Sequence, residues 1–103
     1  MTDKELDYTL QLVNKDLSLE ENTLPESVND FDEIREKLIP VIKYLLNKDF
    51  NRLLTSLYRI DVDEQKVKEV ISLETPDQLA ASLTDLILQR ELQKAETRIK
   101  YQS

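Results

Sequence analysis

Apolar side chains recur at steps of three and four along most of this chain, the spacing of helices that bury one face. Leu6, Leu10, Val13 and Leu17 mark a first helix over about residues 3–17, and Thr2 and Glu5 stand at capping-box separation at its start. Residues 18–29 have no period and include Glu20-Glu21-Asn22 and Leu24-Pro25, so we expect an extended connection pinned by Leu19 and Leu24. A second helix should open near Asn29 or Asp30, with Glu33 completing another capping box. Phe31, Ile34, Leu38, Val41 or Ile42, and Leu45 form its inward stripe. Pro40 falls inside that stripe, where it removes a hydrogen bond and crowds the Glu36 carbonyl. A kink is expected there rather than a break, because the apolar spacing carries through.

The densest apolar stretch spans residues 42–63. Leu45, Leu46, Phe50, Leu53, Leu54, Leu57 and Tyr58 read as one buried stripe, the central layer on which the other helices pack. Tyr58 is expected inward, with its hydroxyl at the core edge. Asn47-Lys48-Asp49 offers a break, Asp49 capping a short helix over about 49–60; the register of Leu46, Phe50, Leu53 and Leu57 argues for continuity. Asp61 and Glu64 share capping-box spacing and predict a helix over about 62–72, with Val67, Val70 and Ile71 inward. Thr75-Pro76-Asp77-Gln78 is the clearest start signal, with threonine as cap, proline first and glutamine third. The last helix should run to about Ile99, with Leu79, Leu83, Leu86 and Ile87 facing the core. No segment alternates strictly. The pattern predicts an all-α fold: one domain over residues 1–103, a compact bundle of four or five helices with a long C-terminal helix.

Three residue types are missing altogether. Without cysteine there is no disulfide, thiolate nucleophile or zinc–sulfur site. Without histidine the usual proton shuttle and the commonest metal ligand are absent. Without glycine there is no phosphate-cradling glycine loop. Helices that end with positive φ must use another residue, and Asn14, Asn22, Asn29 and Asn47 are the expected stand-ins. The alternating carboxylates at Asp61-Val62-Asp63-Glu64 imitate a calcium loop, but Lys66 and Ser72 occupy the positions that need glycine and glutamate. Counted from Asp30, those positions hold Arg35 and Val41. Capping accounts for these acids. No pair of acids stands in an apolar setting that would raise a pKa, and no nucleophile–base–orienter set is found. We therefore expect no enzyme, no cofactor, and neither catalytic nor metal-binding residues.

Charge divides the chain. Residues 1–40 hold eleven acids against four bases, while residues 41–103 hold ten of each, so the net charge of −7 lies entirely in the front part. An acidic front repels nucleic acid and anionic membrane. No signal-peptide pattern or membrane-length apolar run is found, and a cytoplasmic location is the expectation. Two groups of cations stand out. Arg52 and Arg59 share a helix face roughly 10 Å apart, either as an anion site or as partners of the protein's own acids. Arg90, Lys94 and Arg98 form a basic stripe before Tyr101, beside a coiled-coil-like seam of Leu88, Leu92, Ala95 and Ile99. The seam reads either as a self-association surface or as ordinary core. The stripe reads as a docking face, or as cations answering the helix C-terminus.

The stretches KYLLNKDFNRLLTSLYRIDVDEQKVKEVI and LILQRELQKAETRIKY resemble a family of small uncharacterised bacterial helical proteins over about residues 38–100. The most specific pieces are Asp49-Phe50, residues 57–62 and residues 93–98; the acidic first 37 residues lie outside the likeness. The resemblance implies a bacterial cytosolic setting and nothing catalytic. The function expected is a small acidic protein-interaction module, an adaptor or regulator, whose partner is another protein or a second copy bound through residues 88–99. The alternative is a helical nucleic-acid-associated regulator, which requires Arg52, Arg59, Arg90, Lys94 and Arg98 to converge on one face. Nucleic acid is the disfavoured partner, and no membrane is expected.

Overall fold

The helix starts follow from short polar side chains placed before apolar runs. The computed structural model describes residues 3–73 and 75–102, and five helices occupy most of them: α1 (Asp3–Asp16), α2 (Phe31–Lys48), α3 (Phe50–Ile60), α4 (Glu64–Leu73) and α5 (Pro76–Gln102). There is no strand among the described residues, and the fold is all-α. The cap expected of Thr2 lies outside the described residues. At α2 the Glu33 amide donates to Asp30 Oδ1 (2.8 Å), while the Asn29 amide donates to Glu33 Oε1 (3.0 Å). At α5 the Gln78 amide donates to Thr75 Oγ1 and the Thr75 amide to Gln78 Oε1, both at 3.4 Å.

The chain does break at Asp49. Its amide still donates to the Leu45 carbonyl (2.9 Å), and its carboxylate accepts from the Arg52 amide (3.3 Å), so one residue closes α2 and opens α3. α2 itself runs unbroken through Pro40. Pro40 and Glu36 are both exposed, so water can hydrate the carbonyl that proline leaves without a partner.

Two expectations about helix ends need correction. Asp63, not Asp61, caps α4, its Oδ1 accepting from the Gln65 amide (2.9 Å). Asp61 instead takes the left-handed conformation (φ 68°) that closes α3. Among the described residues positive φ occurs at Ser18, Asn22 and Asp61, so none of the four asparagines ends a helix as expected; Asn22 takes positive φ within the connection between α1 and α2. Asn14 and Asn47 lie inside helices, and Asn29 precedes the α2 cap. Ser18 and Asp61 close their helices alike. The Leu19 amide reaches the Asn14 carbonyl and the Ser18 amide that of Lys15; Val62 and Asp61 repeat this pair of bonds onto Leu57 and Tyr58. Glycine usually takes that position, and this chain has none.

Packing centres on α5 rather than on residues 42–63, because α5 touches each of the other four helices. At 27 residues it is about 40 Å long, matching the longest dimension of the molecule, 40 Å. α2 and α1 both run antiparallel to it, one beyond the other. Arg35–Asp85 and Lys43–Asp77 hold α2 along its first half, while Lys94–Asp16 and Arg98 over Tyr8 hold α1 along its second. The buried stripe of α5 is Ala80, Leu83, Thr84, Ile87, Leu88, Glu91 and Ala95. Small residues in it let neighbouring backbones approach. The Thr84 hydroxyl donates to the Ala80 carbonyl (2.8 Å), as that of Thr9 in α1 does to Glu5 (2.7 Å). Leu6, Leu10 and Val13 from α1, Leu17 just after it, and Ile34, Leu38, Ile42 and Leu45 from α2, complete the core with Leu53, Leu57 and Ile60.

The single central stripe is split in the structure. Leu45, Leu53 and Leu57 are buried, but Phe50, Leu54 and Tyr58 are exposed, Tyr58 at 84%. The reason lies in the break at Asp49, which reorients α3 so that only the Leu53–Ser56–Leu57–Ile60 face meets the bundle. Ile71 of α4, expected inward, is also exposed, while Val67 and Val70 are half-buried.

Candidate functional site

Two regions carry chemistry beyond helix packing: a polar cluster where α1 ends against α5, and an apolar groove between α3 and α4.

The polar cluster begins with the free carbonyls at the C-terminus of α1. Arg52 Nη2 donates to the carbonyls of Leu17 (3.1 Å) and Ser18 (2.6 Å); Arg59 Nη1 donates to the Asp16 carbonyl (3.3 Å) and the Ser18 hydroxyl (3.1 Å). Both guanidinium groups thus complement the negative end of a helix dipole. Lys94 arrives from α5, its Nζ 2.9 Å from Asp16 Oδ2 and 3.0 Å from Glu91 Oε1. Arg52, Arg59 and Lys94 therefore do converge, but on acceptors of the protein itself.

Glu91 is the residue that sequence reasoning missed. It has no exposed surface, and neither of its oxygens completes a well-aligned hydrogen bond. Burial, and next the neighbouring Asp16 carboxylate, push its carboxyl from 4.5 up to about 7, against the opposing pull of Lys94. Burial draws the Lys94 ammonium down, yet its bonds to Asp16 and Glu91 outweigh this and hold it above its usual value. Asp16 and Glu91 thus form an acid pair in a buried setting, contrary to the expectation from the sequence. A signal was present. Glu91 lies three and four residues from Leu88, Ile87 and Ala95, so it occupies a core position of the helical pattern. Asp16 likewise follows Val13 by three.

The other candidates separate. Arg90 turns to the end of α3, donating to the Asp61 carbonyl (3.2 Å) and lying 3.5 Å from Asp61 Oδ2. The Arg98 guanidinium sits 5.3 Å from the centre of the Tyr8 ring. Leu88 and Ala95 are fully in the core, while Leu92 and Ile99 are half-buried. The seam of the last helix is therefore largely covered by α1.

The groove has a different character. Phe50, Leu54 and Tyr58 line up at steps of four along the outer face of α3, and Ile71 faces them from α4. Between the two helices lies an open depression of about 310 Å³, lined by Leu54, Leu57, Tyr58, Val67 and Ile71, with Asp61, Glu64 and Lys68 at its edge. A second depression of about 400 Å³ adjoins it across Ile71, reaching Phe50, Leu46 and Leu79. A third, of about 390 Å³, is polar and surrounds the Asp61–Arg90 pair. Glu91 lines none of these three. No group of three acids that could hold a metal ion occurs among the described residues, and none of the described helices is long and apolar enough to cross a membrane.

No protein-family model, curated protein or solved structure matches this chain.

Proposed function

We propose that the protein is a small interaction module whose α3–α4 groove receives an amphipathic helix of a partner protein, with basic residues flanking the apolar face of that helix. One observation carries the reading: Phe50, Leu54, Tyr58 and Ile71 stay exposed side by side on a surface otherwise rich in charge. Spacing at steps of four along α3 is half of a helix–helix interface. The charge of the occupant follows from its surroundings. Two carboxylates, Asp61 and Glu64, stand against one lysine, Lys68, at the groove edge.

A homodimer through Leu88, Leu92, Ala95 and Ile99 would require α1 to leave that face, so the groove is the better docking surface. The nucleic-acid reading is weakened because Arg52, Arg59, Arg90, Lys94 and Arg98 are turned onto the protein's own carbonyls, carboxylates and Tyr8. An enzyme is not proposed, since Glu91, whose carboxyl is raised, lies out of a substrate's reach.

The test uses a fluorescent amphipathic peptide with leucines on one face and lysines beside them. Wild type should bind it with a dissociation constant of about 10 µM to 1 mM, and Leu54→Asp/Tyr58→Asp should abolish binding while circular dichroism stays unchanged. Equal binding by the folded double variant, or none by wild type, would overturn the proposal. So would a wild-type dimer that the double variant splits, because the occupant would then be a second copy.

A further inference from the structure

The cluster at the end of α1 holds two carboxyl groups and one ammonium in a space closed to solvent on the Glu91 side. We infer that Glu91 holds a proton directed at Asp16, and that this proton fastens the C-terminal end of α1 to α5, so that the fastening loosens as pH rises. The first support is charge. With both acids ionised, Lys94 neutralises only one of them, and a negative charge remains where water cannot reach it.

No neighbouring cation removes that charge. From α3, Arg59 and Arg52 direct their N–H groups at the carbonyls of Asp16, Leu17 and Ser18 and at the Ser18 hydroxyl. From α5, Arg90 bonds to Asp61 and Arg98 lies over Tyr8. Among the described residues the ion pairs of the cluster join Asp16 of α1 to Lys94 of α5, and Lys94 to Glu91.

The second support is the hydrogen bonding. Neither oxygen of Glu91 is well served by a donor. A protonated Glu91 supplies its own donor, an O–H directed to Asp16, and the cluster becomes neutral: one acid, one carboxylate, one ammonium. The rise of the Glu91 carboxyl to about 7, caused first by burial and then by the neighbouring Asp16, agrees with this arrangement.

The sign is fixed by linkage. Between the ordinary value of 4.5 and about 7, the folded cluster holds a proton that an open one releases. The closed state therefore weakens as pH rises across that window and levels off above it. α1 is the element released, because Asp16 is its last residue and the non-helical residues 17–30 join it to α2. Opening uncovers the α5 stripe around Leu88, Glu91 and Ala95.

Two measurements decide it. In carbon-detected NMR, the Glu91 carboxyl of wild type should titrate near neutrality, and a midpoint in the ordinary glutamate range would overturn the inference. Hydrogen exchange, corrected for intrinsic rates, should then show α1 amides losing protection by roughly tenfold per pH unit between about pH 5 and 7, while α2 amides hold theirs. Glu91→Gln, or Asp16→Asn if that variant does not fold, should flatten the α1 dependence. An unchanged dependence in the folded variant, or an equal loss across all helices, would show that this proton does not govern α1.

Discussion

Arg52 delivers its charge to the carbonyls of Leu17 and Ser18, two acceptors that the end of α1 would otherwise leave to water. Replacing it with alanine removes two charge-assisted bonds from a half-buried site, and Arg52→Ala should cost about 1–2 kcal/mol, read from the urea midpoint. Glu91 gives the opposite sign. Its folded carboxyl lies above its unfolded one, so its contribution is fully present below about 4.5 and is lost as pH rises through about 7. At pH 8 the wild type carries a penalty on the order of 3 kcal/mol. Glu91→Leu, which leaves the Lys94–Asp16 pair intact, should therefore be more stable than wild type at pH 8, with the advantage shrinking toward pH 4.5. These two residues were unequally legible. The spacing of Arg52 and Arg59 was visible, although their acceptors lie on another helix. Glu91 was not singled out, because the cluster it joins is assembled from distant parts of the chain: 78 residues separate Asp16 from Lys94, the neighbour of Glu91 on α5.

The helices themselves are governed by neighbours within one turn. Asp30, Asp49, Asp63 and Thr75 each accept from an amide two or three residues on, and such bonds can be read from short strings of sequence. Thr75→Ala should lower stability by about 1 kcal/mol by freeing the first turn of α5. Pro40 offers a gain. It sits exposed inside an unbroken helix, so Pro40→Ala restores an N–H donor to the Glu36 carbonyl without losing core contacts. We expect that variant to gain about 1–2 kcal/mol, less than the full cost of an interior proline because the unfolded chain also gains freedom. A raised thermal midpoint with unchanged helix content would bear this out. α3 was the least legible element. Apolar residues cover two of its faces, and periodicity alone does not say which face a bundle will take.

At the scale of the molecule, α5 joins the parts. Its stripe packs against both α1 and α2, so one truncation at its centre should be felt throughout. Leu83→Ala or Ile87→Ala should cost about 2–5 kcal/mol and shift the unfolding of every helix together, measured by residue-resolved exchange. The surface should behave differently: Leu54→Asp and Tyr58→Asp should change stability little, because both side chains already meet water. The all-α class and the long last helix were readable in advance. The position of α5 as common partner was not, since the apolar density is highest over residues 42–63 and density does not say which helix the others pack on.

The amino-acid order alone determined where α2 and α5 begin, that no strand forms among the described residues, and that the chemistry of cysteine, histidine and glycine is missing. Those properties depend on side-chain type and on neighbours a few positions away. Only the tertiary structure decided that Ser18 and Asp61 would close helices, that Phe50, Leu54 and Tyr58 would face outward, and that the cations of α3 and α5 would meet the end of α1. It also decided that Asp16 and Glu91 would share one ammonium in a closed space. Each of these outcomes rests on which faces meet across long separations in the chain, a choice made by packing and not by any single turn of helix.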